Sequence, residues 1–91
     1  MREAIGQVWA AVCEGDAART RVYVRDHYVR PAGGPLVTLH CAFAVTPAVV
    51  WRDACAFGRT DGEALWALWE LVCLHARVRR DEIEAALRGG A

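Results

Sequence analysis

The sequence predicts a single α+β domain: an N-terminal helix, a three-stranded antiparallel sheet, a long helix and a short C-terminal helix, with the helices on one face of the sheet. Three observations carry this reading. Apolar residues recur at helical spacing near both ends of the chain, and a period-two alternation fills the middle. A break at Pro31, Ala32, Gly33, Gly34 and Pro35 then divides the alternating region into two strands. A chain of 91 residues builds one core, so the domain is expected to span residues 1–91.

The first helix is read from Ile5, Val8, Trp9, Val12 and Cys13, which share a stripe, while Arg2, Glu3, Gln7 and Glu14 fall elsewhere on the wheel. It is expected to end near Gly15. From Arg19 to Arg30 the period changes to two: Val22, Val24 and Tyr28 alternate with Arg21, Tyr23, Arg25 and His27. Strand two, Leu36 to Val45, offers Val37, Leu39, Cys41, Phe43 and Val45 as its core face, and Thr38, His40, Ala42 and Ala44 as its outer face.

Pro47 to Gly58 reads two ways. Thr46 and Pro47 can cap a short helix, but Val49, Trp51, Cys55 and Phe57 alternate with Val50, Arg52, Ala54 and Ala56, and the strand is favoured. Thr60 followed three residues later by Glu63 is a capping box, with Asp61 adding negative charge to the first turn. Leu65, Leu68, Trp69, Val72, Cys73 and Ala76 then form the stripe of the long helix. Around Arg79 to Asp81 a kink or restart is expected, with Asp81 and Glu84 capping a last short helix that carries Ile83 and Leu87.

Composition narrows the function classes. The 11 basic and 11 acidic groups balance, so no overall field argues for nucleic acid or membrane, and any electrostatic preference must come from local segregation. All the basic residues are Arg, each a planar fork suited to carboxylate or phosphate. Cys13, Cys41, Cys55 and Cys73 lack a Cys-x-x-Cys pair or metal-ligand spacing. They read as buried thiols in a reducing, cytoplasmic setting, with no metal and no cofactor. The most apolar stretch, Leu36 to Trp51, is too short and too interrupted to span a bilayer.

No serine is present, nor any phosphate-binding or dinucleotide glycine pattern, and a catalytic signature is lacking. The expected activity is therefore non-enzymatic binding of a protein or nucleoprotein complex, with a basic sheet face suited to nucleic acid or equally to an acidic protein surface. If all three apolar strand faces meet the helices, the remaining face gathers Arg21, Arg25 and Arg52 around Tyr23, His27 and His40. That arrangement requires an even number of hairpin loop residues, or a bulge. The same reading leaves a small metal-independent ribonuclease, with His27 and His40 as base and acid, as a third alternative. Trp66, at the border of the long helix's stripe, is the expected aromatic anchor at an interface. An apolar fraction of 55% is more than one small core consumes, which predicts a homodimer or a tight partner.

The run Phe57, Gly58, Arg59, Thr60, Asp61, Gly62, Glu63, Ala64, Leu65 resembles the strand, Gly-x-Thr, helix junction of HicB-like antitoxins. It covers about a tenth of the chain, and it implies an antitoxin or regulatory partner domain as the alternative function. The whole layout, one meander with flanking helices and no enzyme motif, resembles small phage-borne inhibitors of the anti-CRISPR type. That likeness implies an inhibitor, carried by a phage or mobile element, of a host nucleoprotein complex. Many such inhibitors mimic DNA with acidic surfaces, and this neutral, Arg-rich chain departs from that pattern.

Overall fold

The computed structural model describes residues 1–47 and 52–89. Helix α1 (Arg2–Cys13) leads through a 3-10 turn (Ala17–Arg19) into strands β1 (Arg21–Val29), β2 (Val37–Thr46) and β3 (Arg52–Gly58), and helix α2 (Asp61–Gly89) closes the chain. The strands form one antiparallel sheet in the order β1-β2-β3, a plain meander. The α+β layout expected from the sequence is therefore present. The predicted strand over Pro47 to Gly58 stands from Arg52 onward, while Val49 and Trp51 lie outside the described residues.

Each helix end has a local cause. Glu14 takes a left-handed conformation (φ 55) at the end of α1, where its N–H and that of Gly15 return to carbonyls of the last turn. Gly15 packs so closely on Thr46 and Pro47 that a Cβ would collide with the Thr46 hydroxyl. At the start of α2 the capping box forms: Glu63 N–H donates to Thr60 Oγ1 at 3.1 Å, and Glu63 Oε2 accepts from Arg59 N–H at 2.8 Å. Gly58 must be glycine, because a Cβ there would meet the backbone of Glu63 and Ala64.

The expected break near Arg79 does not occur. Helix α2 runs unbroken to Gly89, and the other helical element besides α1 among the described residues is the 3-10 turn, so there is no separate C-terminal helix. Residues 77–88 contain neither Gly nor Pro, and Arg77 with Asp81, Arg80 with Glu84, and Glu84 with Arg88 are opposite charges four apart. Asp81 and Glu84 thus support the continuing helix rather than cap a new one. None of the described helices is long and apolar enough to cross a membrane.

The core lies between the sheet and both helices: Ile5 and Trp9 of α1 and Ala64, Leu68 and Val72 of α2 close on Ala42, Ala44 and Ala54. Both helices bring bulky side chains, so the strands supply small ones. Beside this core Thr20 and Thr46 are buried; Thr20 Oγ1 donates to the Asp16 carbonyl at 2.8 Å and accepts from Thr46 Oγ1 at 2.8 Å. These bonds satisfy two hydroxyls in apolar surroundings.

Candidate binding surface

The strand register decides which side chains share a face. The pairs Arg21↔Val45, Tyr23↔Phe43, Arg25↔Cys41 and His27↔Leu39 put odd-numbered residues of β1 beside odd-numbered residues of β2. The pairs Cys41↔Phe57 and Phe43↔Cys55 extend that face across β3. The hairpin loop, residues 30–36, has seven members, an odd number without a bulge in the pairing. The expected alignment of apolar faces therefore fails: β1 turns Val22 and Val24 to the helices as predicted, but β2 and β3 turn their alanines inward and their large residues outward.

Several sequence expectations change as a result. His27 is on the outer face and His40 on the helix side, so the two imidazoles do not meet and the base-acid pair does not form. In the backbone register Arg52 stands opposite the even-numbered Thr46, whereas Arg21 and Arg25 stand opposite the odd-numbered Val45 and Cys41. Arg21 lies at the sheet margin, where its Nη1 donates to the carbonyls of Ala18 and Thr20 at 2.9 and 3.1 Å. Trp66 is 54% exposed on α2, away from this face, with Nε1 donating to Glu70 Oε1 at 3.0 Å. Cys55 is exposed and Cys41 half-buried, so these two are not core thiols.

What the outer face does assemble is two aromatic groups, one of them carrying a cation, on one platform. The Arg25 guanidinium sits 4.9 Å over the centroid of Phe43, and the Tyr23 ring packs against Phe43 with centroids 5.2 Å apart. Across the sheet His27 meets the edge of Phe57 at 5.6 Å. Tyr23 and Phe57, on the two edge strands of this face, are 47% and 48% exposed. Leu39 and Val45 fill the gaps, and Asp53, paired with Val45 at one end, is the acidic residue sharing this parity among the described residues.

At the centre of the platform Cys41 Sγ donates to Cys55 Sγ at 3.9 Å. Partial burial pushes the Cys41 thiol above the ordinary thiol value, reinforced by the hydrogen bond to Cys55 and opposed by the nearby Arg25 charge. The sequence assigned Phe43, Phe57, Cys41 and Cys55 to the core. The odd loop and the alternating alanines of β2 and β3 are the signals that place them outside.

On the helix side His40 Nδ1 lies 2.5 Å from Asp61 Oδ1 and 3.6 Å from Asp26 Oδ1. This contact ties β2 to the first turn of α2. A separate groove of about 590 Å³ runs between α1 and α2, with Val8, Ala11, Val12, Ala76 and Ile83 as its apolar lining and Arg79, Arg80 and Glu84 as its charged lining; Arg79 also pairs with Glu14 at 2.7 Å. Comparison of the chain with protein-family models, with curated proteins and with solved structures finds no match.

Proposed function

We propose that this chain is a non-enzymatic binding module, and that the outer face of its sheet docks the nucleic-acid component of a nucleoprotein partner. The observation that carries this reading is the Tyr23, Phe43, Arg25 stack, extended by His27 and Phe57. The exposed rings of Tyr23 and Phe57 offer π-faces on which unpaired bases stack, and the Arg25 guanidinium over Phe43 serves phosphate or adds a cation–π contact. Duplexes hide those base faces, so the preferred ligand is single-stranded. Acting on a host assembly, such a module is an inhibitor of the anti-CRISPR kind.

The test is fluorescence anisotropy with labelled single-stranded and duplex oligonucleotides at two salt concentrations, for the native chain and for a Tyr23→Ala, Arg25→Ala, Phe43→Ala variant. Single strands are expected to bind more tightly than duplexes, and the folded variant to bind at least tenfold more weakly. Equal binding by the two proteins, or no single-strand binding at low salt, would refute the reading.

The groove between α1 and α2 favours a second reading, an antitoxin-like or regulatory domain that receives an apolar segment of a protein partner. Such a chain is expected to co-purify with a small protein encoded beside it. An Ile83→Asp substitution would then release that protein while leaving oligonucleotide binding unchanged.

A further inference from the structure

The Cys41 and Cys55 pair does something that neither an aromatic platform nor a core requires. The two residues come from different strands, Cys41 opposite Phe57 and Cys55 opposite Phe43, so they are diagonal neighbours on one face. Diagonal neighbours hold their Cβ atoms at nearly 7 Å, well beyond the roughly 4 Å that a disulfide needs. The diagonal register thus brings the two sulfurs near each other at a spacing that does not favour a disulfide. No disulfide links the cysteines, and the Sγ atoms stand 3.9 Å apart. Two sulfurs bound to one tetrahedral ion, with metal–sulfur bonds of about 2.3 Å, are separated by roughly 3.8 Å. Cys55 is exposed and Cys41 half-buried, so neither residue is sealed in the core.

We infer that Cys41 and Cys55 form a two-thiol clamp for a single thiophilic centre, either a borderline or soft metal cation or a trivalent arsenical. Among the described residues no cluster of three or more His, Cys, Asp or Glu stands at this place, so the clamp rests on these two thiols. With a divalent cation, two metal–sulfur bonds form as two S–H bonds break, and two protons leave to solvent. With an arsenoxide, two As–S bonds form, and both thiol protons leave with the arsenic-bound oxygen as one water. Neither step changes an oxidation state, so neither needs an oxidant or reductant. The clamp is independent of what docks on the platform, but a group held there stands between Phe43 and Phe57 and obstructs their faces.

The experiment titrates the reduced, full-length chain in two arms: zinc in competition with a chromogenic chelator, and phenylarsine oxide followed by intact mass and thiol counting. One equivalent is expected to bind with loss of two titratable thiols, mapped by digestion to Cys41 and Cys55. Zinc binding assigns the clamp to divalent cations, and an arsenical adduct without zinc binding assigns it to trivalent arsenic. Cys55→Ala, at an exposed position, is expected to weaken binding at least tenfold with an unchanged circular dichroism spectrum, whereas the Cys13→Ala, Cys73→Ala variant keeps it. Native affinity in folded Cys55→Ala, or an absence of two-thiol loss in both arms, would overturn the proposal.

Discussion

The two faces of this sheet invert the usual relation between side-chain size and burial. The face against the helices is built from Ala42, Ala44 and Ala54 with Thr46, all buried, while the uncovered face carries Tyr23, Phe43, Phe57, Leu39 and two cysteines. The covered face is small because α1 and α2 bring Ile5, Trp9, Leu68 and Val72, and packing density leaves little room for bulk from the strands as well. Large apolar residues on the far side are not needed for that core. Among the described residues no helix packs on this face, which combines exposed rings with the Arg25 guanidinium, and the proposed binding role rests on that combination.

The strongest way to break this contrast is to compare substitutions on its two sides. Leu68→Ala removes a fully buried side chain from the helix contribution to the core and is expected to cost about 2–5 kcal/mol, a large share of a small domain's stability. Ala44→Leu should be similarly harmful by overpacking. Phe43→Ala and Phe57→Ala, although they remove larger side chains, are expected to shift the urea midpoint far less. If they unfold the protein as Leu68→Ala does, the outer face is a core surface.

The same pair of substitutions sharpens the functional side. Each is expected to weaken single-strand binding by about 1–3 kcal/mol through lost stacking, with little change in salt dependence. Arg25→Gln should behave differently. Losing one phosphate contact lowers the salt slope of log affinity by about 0.7 for a single strand, and the cation–π contact with Phe43 goes with it. Measuring affinity over a salt series separates the two kinds of contribution, and an unchanged slope in Arg25→Gln would mean that this guanidinium serves the ring alone.

Most of the fold was legible because its signals are local. The capping box at Thr60 and Glu63, the period-two runs and the Pro-Gly break each follow from neighbouring residues, and all of them appear in the structure. The single α2 was misread because Asp81 and Glu84 look like a cap, although no breaker accompanies them. The candidate surface was half legible. Tyr23, Arg25 and His27 were placed outward correctly, since β1 alternates cleanly between valines and polar residues. On β2 and β3 both faces are apolar, so alternation alone does not say which one meets the helices, and side-chain size pointed the wrong way. The deciding facts were the odd hairpin loop and the bulk of the helix stripes, both of which are properties of two elements together.

The smallest expected effect tests the covered face from within. Trp9 is 5% exposed, and its ring meets His75 edge-on at 5.5 Å. Its Nε1 is buried without a hydrogen-bond partner among the described residues. An unsatisfied buried donor costs about 1–3 kcal/mol, so this side chain contributes by volume while losing by polarity. Trp9→Phe removes the donor and leaves a smaller ring, and the relief of the unpaired N–H should offset most of the cavity cost. The net change in stability is expected to stay within about 1 kcal/mol, against about 3–5 kcal/mol for Trp9→Ala. Urea unfolding of both variants decides the matter. A Trp9→Phe loss comparable to that of Trp9→Ala would mean that Nε1 has an acceptor in solution, and that the small-residue face against α1 is more polar than its alanines imply.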